Sequence, residues 1–233
     1  MDQELIYFAK ELYELYHAST DVFLVKKNMK PFIQKLFDFY EINAREYFEK
    51  RKAYNSKMLE IANKEMHNLD SYFKEFNIGA EFVMTSSLNA DINLVGDSDI
   101  DISMLVPVLD DLIMLQISTH LNKLGYTYQK IVNPSQVLNC YHSFNKNEND
   151  VEFEVKLRNK FNSRIVLELH KHMEQCLTTK ERMAITYGKF LFKFLSKSGL
   201  LEEEKKSYAI FKKMVYEMYF AEIKGGFMLD LHY

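Results

Sequence analysis

The chain has 233 residues, 47% of them hydrophobic and 27% charged, with a net charge of −3, a balance that excludes long disorder and fits one large domain or two small interlocked ones. Its longest apolar runs, such as 101–109, are too short to span a bilayer, and the acidic start, without a basic n-region, is not expected to act as a secretory signal. Two cysteines, Cys140 and Cys176, without CxxC spacing fit a reducing, intracellular and cytoplasmic setting and offer no thiolate metal site.

In chain order, residues 2–17 place Leu5, Phe8, Leu12, Leu15 and Tyr16 on one helical stripe. Pro31 suits the first turn of a second helix, with Phe32, Leu36, Phe39 and Tyr40 recurring at helical spacing. A third helix is expected over about 53–76, with Met58, Ile61, Ala62, Met66, Leu69 and Phe73 on its apolar face and Gly79 ending it. The texture then changes. Residues 81–84 read as a strand, and 99–106 alternate acid and apolar residues, also a strand signal. An amphipathic helix is expected over 109–123 and strands over 137–144 and 151–157, with the polar run 145–150 as their hairpin loop. From about 163 onward helical patterns return.

Helices, a small mixed sheet and helices again imply an α+β fold. The expected division is an N-terminal helical segment over 1–76, a catalytic core over 77–160, and a C-terminal helical lobe over 161–233, with a helical lobe built from both chain ends. The acidic excess lies in residues 1–150 and the basic excess in 151–233. Basic helical faces suit either solvent or phosphates.

The informative segment is Ser86-Ser87-Leu88-Asn89 followed by Ser98-Asp99-Ile100-Asp101. On a strand Asp99 and Asp101 project from one side, about 7 Å apart. Carboxylates fixed side by side repel, and a divalent cation between them relieves the repulsion. All-oxygen ligation points to Mg²⁺ or Mn²⁺. A third acid from a neighbouring strand would complete a two-metal site, and Glu152 and Glu154 share a face of the strand over 151–157. Alternation alone leaves both open. His170 and His172 are spaced for different helix faces and are read as surface.

These residues resemble the terminal uridylyltransferase and noncanonical poly(A) polymerase family of the polymerase-beta-like nucleotidyltransferase superfamily. There, a Gly-Ser motif opens a helix and is followed by a Ser-Asp-x-Asp strand. Asn162-Ser163 is similar to the family's Asn-Ser/Thr pair, whose Asn contacts the ribose. Lys189 and Lys193 resemble its triphosphate lysines, and Ser207-Tyr208 its Ser-Tyr helix start, where serine contacts phosphate and tyrosine stacks on the base. The resemblance covers about 80–220. Thr85 and Ala90 stand where the family has glycine, the third carboxylate is Glu rather than Asp, and the family's later base-recognition loop has no counterpart.

The resemblance implies transfer of a nucleotide from an NTP, ATP or UTP, to an RNA 3′-hydroxyl with two metal ions. Asp99, Asp101 and Glu152 or Glu154 would hold the ions, with Glu152 ahead because Val151-Glu152-Phe153 resembles the family's apolar-Asp-apolar strand with the fewest shifts. Ser86 or Ser87, Lys189, Lys193 and Ser207 would hold the triphosphate, and Lys156, Arg158 and Lys160 would face the acceptor strand. A separate protein would supply further RNA binding. The alternatives are a nucleotide second-messenger synthase or protein-nucleotidylating enzyme of the same superfamily, and an inactive relative acting as a subunit.

Overall fold

The computed structural model describes residues 45–96, 99–132, 134 and 140–197, with a few helical positions near the N-terminus. By contact the chain divides into two compact units, Lys52–Gln175 and the combination of Met1–Arg51 with Cys176–Tyr233. The described elements are α1 (Arg45–Lys74), β1 (Glu81–Met84), β2 (Asp99–Val106), α2 (Asp111–Lys123), β3 (Thr127–Val132), β4 (Tyr141–Glu148), β5 (Val151–Asn159), α3 (Arg164–Cys176) and α4 (Thr179–Lys197).

The fold is α+β, with a five-stranded sheet ordered β1-β2-β5-β4-β3. β2 and β5 run parallel, and the other neighbours are antiparallel. The sheet separates its side chains by period. Ile100, Ile102, Met104 and Val106 of β2 join Phe153, Val155 and Leu157 of β5 in one buried cluster. Met58, Ala62, Leu69 and Phe73 of α1 and Ile117 and Leu121 of α2 complete it. The α1 positions recur four and seven apart, which keeps them on one stripe of the helix.

One ionic cluster interrupts this side of the sheet. Glu65 of α1 accepts hydrogen bonds from the Tyr126 hydroxyl at 2.7 Å and from Lys146 Nζ at 2.6 Å. Lys146 also pairs with Glu148 at 2.9 Å and lies 5.2 Å from the Phe153 ring centroid. Burial, reinforced by Glu65, pushes the Tyr126 hydroxyl far above its ordinary range. Buried charge is tolerated here because each group has a partner.

Several boundaries differ from the sequence expectation. α1 begins at Arg45 rather than near 53, and Gly79 follows it at φ +67, a left-handed conformation that favours glycine. Residues 127–132 form β3, which the sequence did not suggest; nearly all of its side chains are exposed, so it carries no apolar alternation. β4 runs from Tyr141 to Glu148, so the polar residues Asn145–Glu148 belong to a strand. Asn149 and Asp150, both at positive φ, make the whole two-residue turn, the geometry of a tight hairpin. The expected strand start at 137–139, the helix at Pro31 and the helical patterns after 197 lie outside the described residues.

In the other unit, α4 opens on a reciprocal cap. The Thr178 backbone N–H donates to Glu181 Oε2 at 2.7 Å, and the Glu181 N–H donates to Thr178 Oγ1 at 3.3 Å. This satisfies donors that a helix start leaves without helical partners. Ile185, Leu191, Phe192 and Leu195 are buried along it.

Candidate active site

The face of the sheet opposite the apolar cluster is polar. β2 contributes Asp99, Asp101 and Ser103, and β5 contributes Glu152, Glu154, Lys156 and Arg158. The parallel register sets Asp99 beside Glu152 and Asp101 beside Glu154, roughly 4.8 Å apart across the ladder. Both candidate third carboxylates therefore have an aspartate as neighbour. They differ in surroundings: Glu152 is exposed, whereas Glu154 is partly buried next to the buried Asp101.

β4 orients these acids. Asn145 Nδ2 donates to Glu152 Oε1 at 2.6 Å, and Ser143 Oγ donates to Glu154 Oε1 at 2.6 Å. Lys156 Nζ lies 3.0 Å from Asp101 Oδ1 and 3.5 Å from Glu154 Oε2. Its ammonium also sits 5.5 Å from the Tyr141 ring centroid, and the Arg158 guanidinium lies 4.3 Å from the same centroid. Burial pushes the Tyr141 hydroxyl up from its ordinary value, and Lys156 works against that rise. The half-buried acids thus stand among positive charge and hydrogen-bond donors, as buried carboxylates require.

The donor chemistry, four carboxylates with no sulfur or imidazole, suits a hard divalent cation. The present arrangement directs the acids to their protein partners instead. Among the described residues no group of three or more acidic, His or Cys side chains is gathered tightly enough to hold an ion.

The serine loop packs against this sheet edge. The Thr85 N–H donates to the Asp101 carbonyl at 3.0 Å, and Thr85 Oγ1 lies 3.0 Å from Ser103 Oγ. Thr85 thus extends the pairing of β1 with β2. Ser86 is buried, and its hydroxyl accepts from the Leu88 N–H at 3.1 Å, while Ser87 is only partly buried. No helix follows the serines: residues 86–91 form turns, closed by the Ile92 N–H donating to the Ser87 carbonyl at 2.9 Å. Ala90, Ile92 and Leu94 are buried. Asn55 Nδ2 donates to Asp91 Oδ1 at 2.6 Å, and Asn93 Nδ2 donates to Asn55 Oδ1 at 2.8 Å, tying the loop to α1.

The remaining candidates are distributed more widely. Asn162 lies in the turn between β5 and α3, past the end of β5 opposite to Glu152, and its N–H donates to Asn159 Oδ1 at 3.2 Å. Lys189 and Lys193 lie on α4 in the other unit; Lys189 is only 1% exposed, which removes it from any solvated face, and Lys193 is partly buried. Ser207 and Tyr208 lie outside the described residues. Lys156 and Arg158, expected to face an acceptor strand, lie on the sheet's polar face, Lys156 beside Asp101 and Arg158 over the Tyr141 ring. Lys160 pairs with Glu81.

Ser143 and Asn145 were not anticipated as site residues. Sequence gave no indication of the strand pairing that brings them to the glutamates. Lys156 did carry a readable signal, since alternation puts it in phase with Glu152 and Glu154. A cavity of about 790 Å³ lies elsewhere in this unit, with Val83, Met84, Leu105, Phe161 and Leu167 in its lining. None of the four carboxylates is among its described lining residues.

No protein-family model and no curated protein sequence matches the chain. Solved structures align with the chain. A structure of the GLD-2/RNP-8 complex aligns with a TM-score of 0.50 at 13% identity, covering 78% of this chain and 58% of that one. A mutant of Cid1 poly(U) polymerase bound to MgATP aligns with a TM-score of 0.43 at 18% identity, covering 66% and 50%. The noncanonical poly(A) polymerase complex GLD-2–GLD-3 aligns with a TM-score of 0.43 at 14% identity, covering 70% and 55%. The chain thus spans between half and three-fifths of the length of these structures. Its mixed sheet with helices is the nucleotidyltransferase fold. No helix among the described residues is long and apolar enough to cross a membrane.

Proposed function

We propose that the chain is a template-independent nucleotidyltransferase that adds nucleotides from an NTP, ATP or UTP, to the 3′-hydroxyl of RNA. The observation that carries this reading is the parallel register of β2 with β5, which sets Asp99 beside Glu152 and Asp101 beside Glu154 on the polar face of a nucleotidyltransferase-type sheet. Asp99, Asp101 and one of the two glutamates would hold two Mg²⁺ or Mn²⁺ ions. Bound metal would supply activation of the attacking hydroxyl and neutralisation of charge on the departing diphosphate. Asn145 and Ser143 hydrogen-bond Glu152 and Glu154 and hold their carboxylates on the polar face of the sheet. Ser86 or Ser87 would face the triphosphate. Ser87 is favoured over Ser86, whose hydroxyl is turned inward.

The acceptor would be RNA, and a partner protein would contribute to holding it. A neighbour of the same fold, solved as the GLD-2/RNP-8 complex, is consistent with that arrangement. The inactive-subunit alternative draws on one specific observation, the ammonium of Lys156 between Asp101 and Glu154.

Purified full chain incubated with Mg²⁺ or Mn²⁺ and each NTP, with and without labelled oligo-RNA, separates the readings. The proposal predicts primer-dependent extension. A nucleotide product formed without primer would point to messenger synthesis. No product in any combination would favour the subunit role.

A further inference from the structure

We infer that Lys156 is a built-in counter-ion of the carboxylate face, and that a divalent cation enters the Asp101–Glu154 position only by displacing its ammonium. This rests on the proposed metal site and concerns how that site is kept when metal is absent.

Asp101 and Glu154 are register neighbours on parallel strands. Asp101 is buried, and the side chains of Glu154 and Lys156 are 23% and 15% exposed. Two carboxylates so close in a poorly hydrated place repel strongly unless a cation offsets them. Lys156 follows Glu154 by two residues on the same face, and its Nζ reaches back to 3.0 Å from Asp101 Oδ1 and 3.5 Å from Glu154 Oε2. A metal ligated by Asp101 Oδ1 and Glu154 Oε2 would occupy the space this ammonium takes. The two cations cannot share it, because each would be held at contact distance from the other.

Lysine suits this exchange. Its charge sits on a flexible four-carbon stem with no fixed fork geometry. The Tyr141 ring, 5.5 Å from Nζ, offers a nearby surface for the displaced ammonium. The phosphates of an arriving nucleotide would offer a better one. Metal alone therefore binds weakly, and metal with a nucleoside triphosphate binds together, since the nucleotide supplies the anion that Lys156 gives up. This also accounts for the absence of a ready-made ligand cluster among the described residues.

The test uses the full chain and Mn²⁺ without nucleotide, with bound metal measured by electron paramagnetic resonance. K156Q should bind Mn²⁺ tighter than wild type by on the order of tenfold or more. K156R, which keeps the cation, should bind as weakly as wild type, and D101N/K156Q should lose the gain. Equal Mn²⁺ affinity in wild type and K156Q would overturn the counter-ion role while leaving the metal site intact. If neither binds Mn²⁺ with or without an NTP analogue, the metal site fails and this inference with it. Wild-type protein gives an independent readout should K156Q fail to fold. In amine labelling followed by mass spectrometry, Lys156 should be protected without metal and labelled once saturating Mn²⁺ alone occupies the site. Protection unchanged in the Mn²⁺-saturated sample would contradict displacement.

Discussion

Strand β5 carries Val151, Phe153, Val155 and Leu157 on one side and Glu152, Glu154, Lys156 and Arg158 on the other. The first side packs under α1 and α2 in the core cluster, and the second meets Asp99 and Asp101 across the parallel ladder. One stretch of backbone thus serves two physical tasks, because successive strand residues point to opposite faces. The apolar side gains free energy by leaving water. The polar side concentrates like charge, which costs free energy unless cations and hydrogen bonds offset it. The comparison teaches that substitutions one residue apart should have effects of different kinds.

The largest effect is expected on the polar side. Asp99→Ala and Asp101→Ala should each abolish nucleotide addition in a primer-extension assay while the melting temperature stays close to wild type. Asp101→Ala leaves Lys156 paired with Glu154, so no lone charge is created by the change. Full activity in either variant would break the two-metal proposal.

On the apolar side, Phe153→Ala should cost about 3–5 kcal/mol of unfolding free energy through lost burial and a residual cavity. Phe153 is only 3% exposed within the cluster. Denaturant melts would measure the loss, and activity per folded molecule should be retained. A variant that kept its stability would mean that the ring is not part of the packed core.

The glutamates sharpen the comparison within the polar face. One of Glu152→Gln and Glu154→Gln should bind NTP normally and fail to extend RNA, and the other should remain active. The sequence resemblance puts Glu152 ahead; the contact that Glu154 shares with the buried Asp101 through Lys156 leads us to propose Glu154 as the essential one. Wild-type extension by both would remove β5 from the site.

The smallest effect concerns the ionic cluster on the helix-covered side. The hydrogen bond from Lys146 holds the Glu148 carboxyl below its ordinary value. A lowered folded-state value contributes stability that is fully present above the ordinary carboxylate range and lost as pH falls through the lowered value. Glu148 is exposed, so screening keeps the effect small. Melting temperature against pH should show wild type slightly above Glu148→Gln at neutral pH, with the gap closing in acid. A constant gap would place its origin elsewhere.

Much of this division was legible in the residues. Acid–apolar alternation located β2 and β5, and the same alternation identified the face shared by the acids. Strand β3 was missed because an exposed edge strand need not alternate. The end of β4 resembled a loop because Asn145 and Asn147 face the polar side, while Lys146 and Glu148 belong to the ionic cluster on the other. The Ser86 hydroxyl could not be assigned from sequence, since a turn serine bonds its own backbone or a ligand equally well. Pairing register is likewise a tertiary property, so the partners Ser143 and Asn145 emerged only with the sheet.

The account is tested most directly by crystals of the full chain grown with Mn²⁺ and a non-hydrolysable NTP analogue, examined by anomalous scattering at the manganese edge. The account predicts peaks within coordination distance of Asp101 and of Glu152 or Glu154, with Lys156 turned away from Asp101. Nucleotide bound without manganese at these carboxylates, or manganese ligated only elsewhere in the chain, would contradict it.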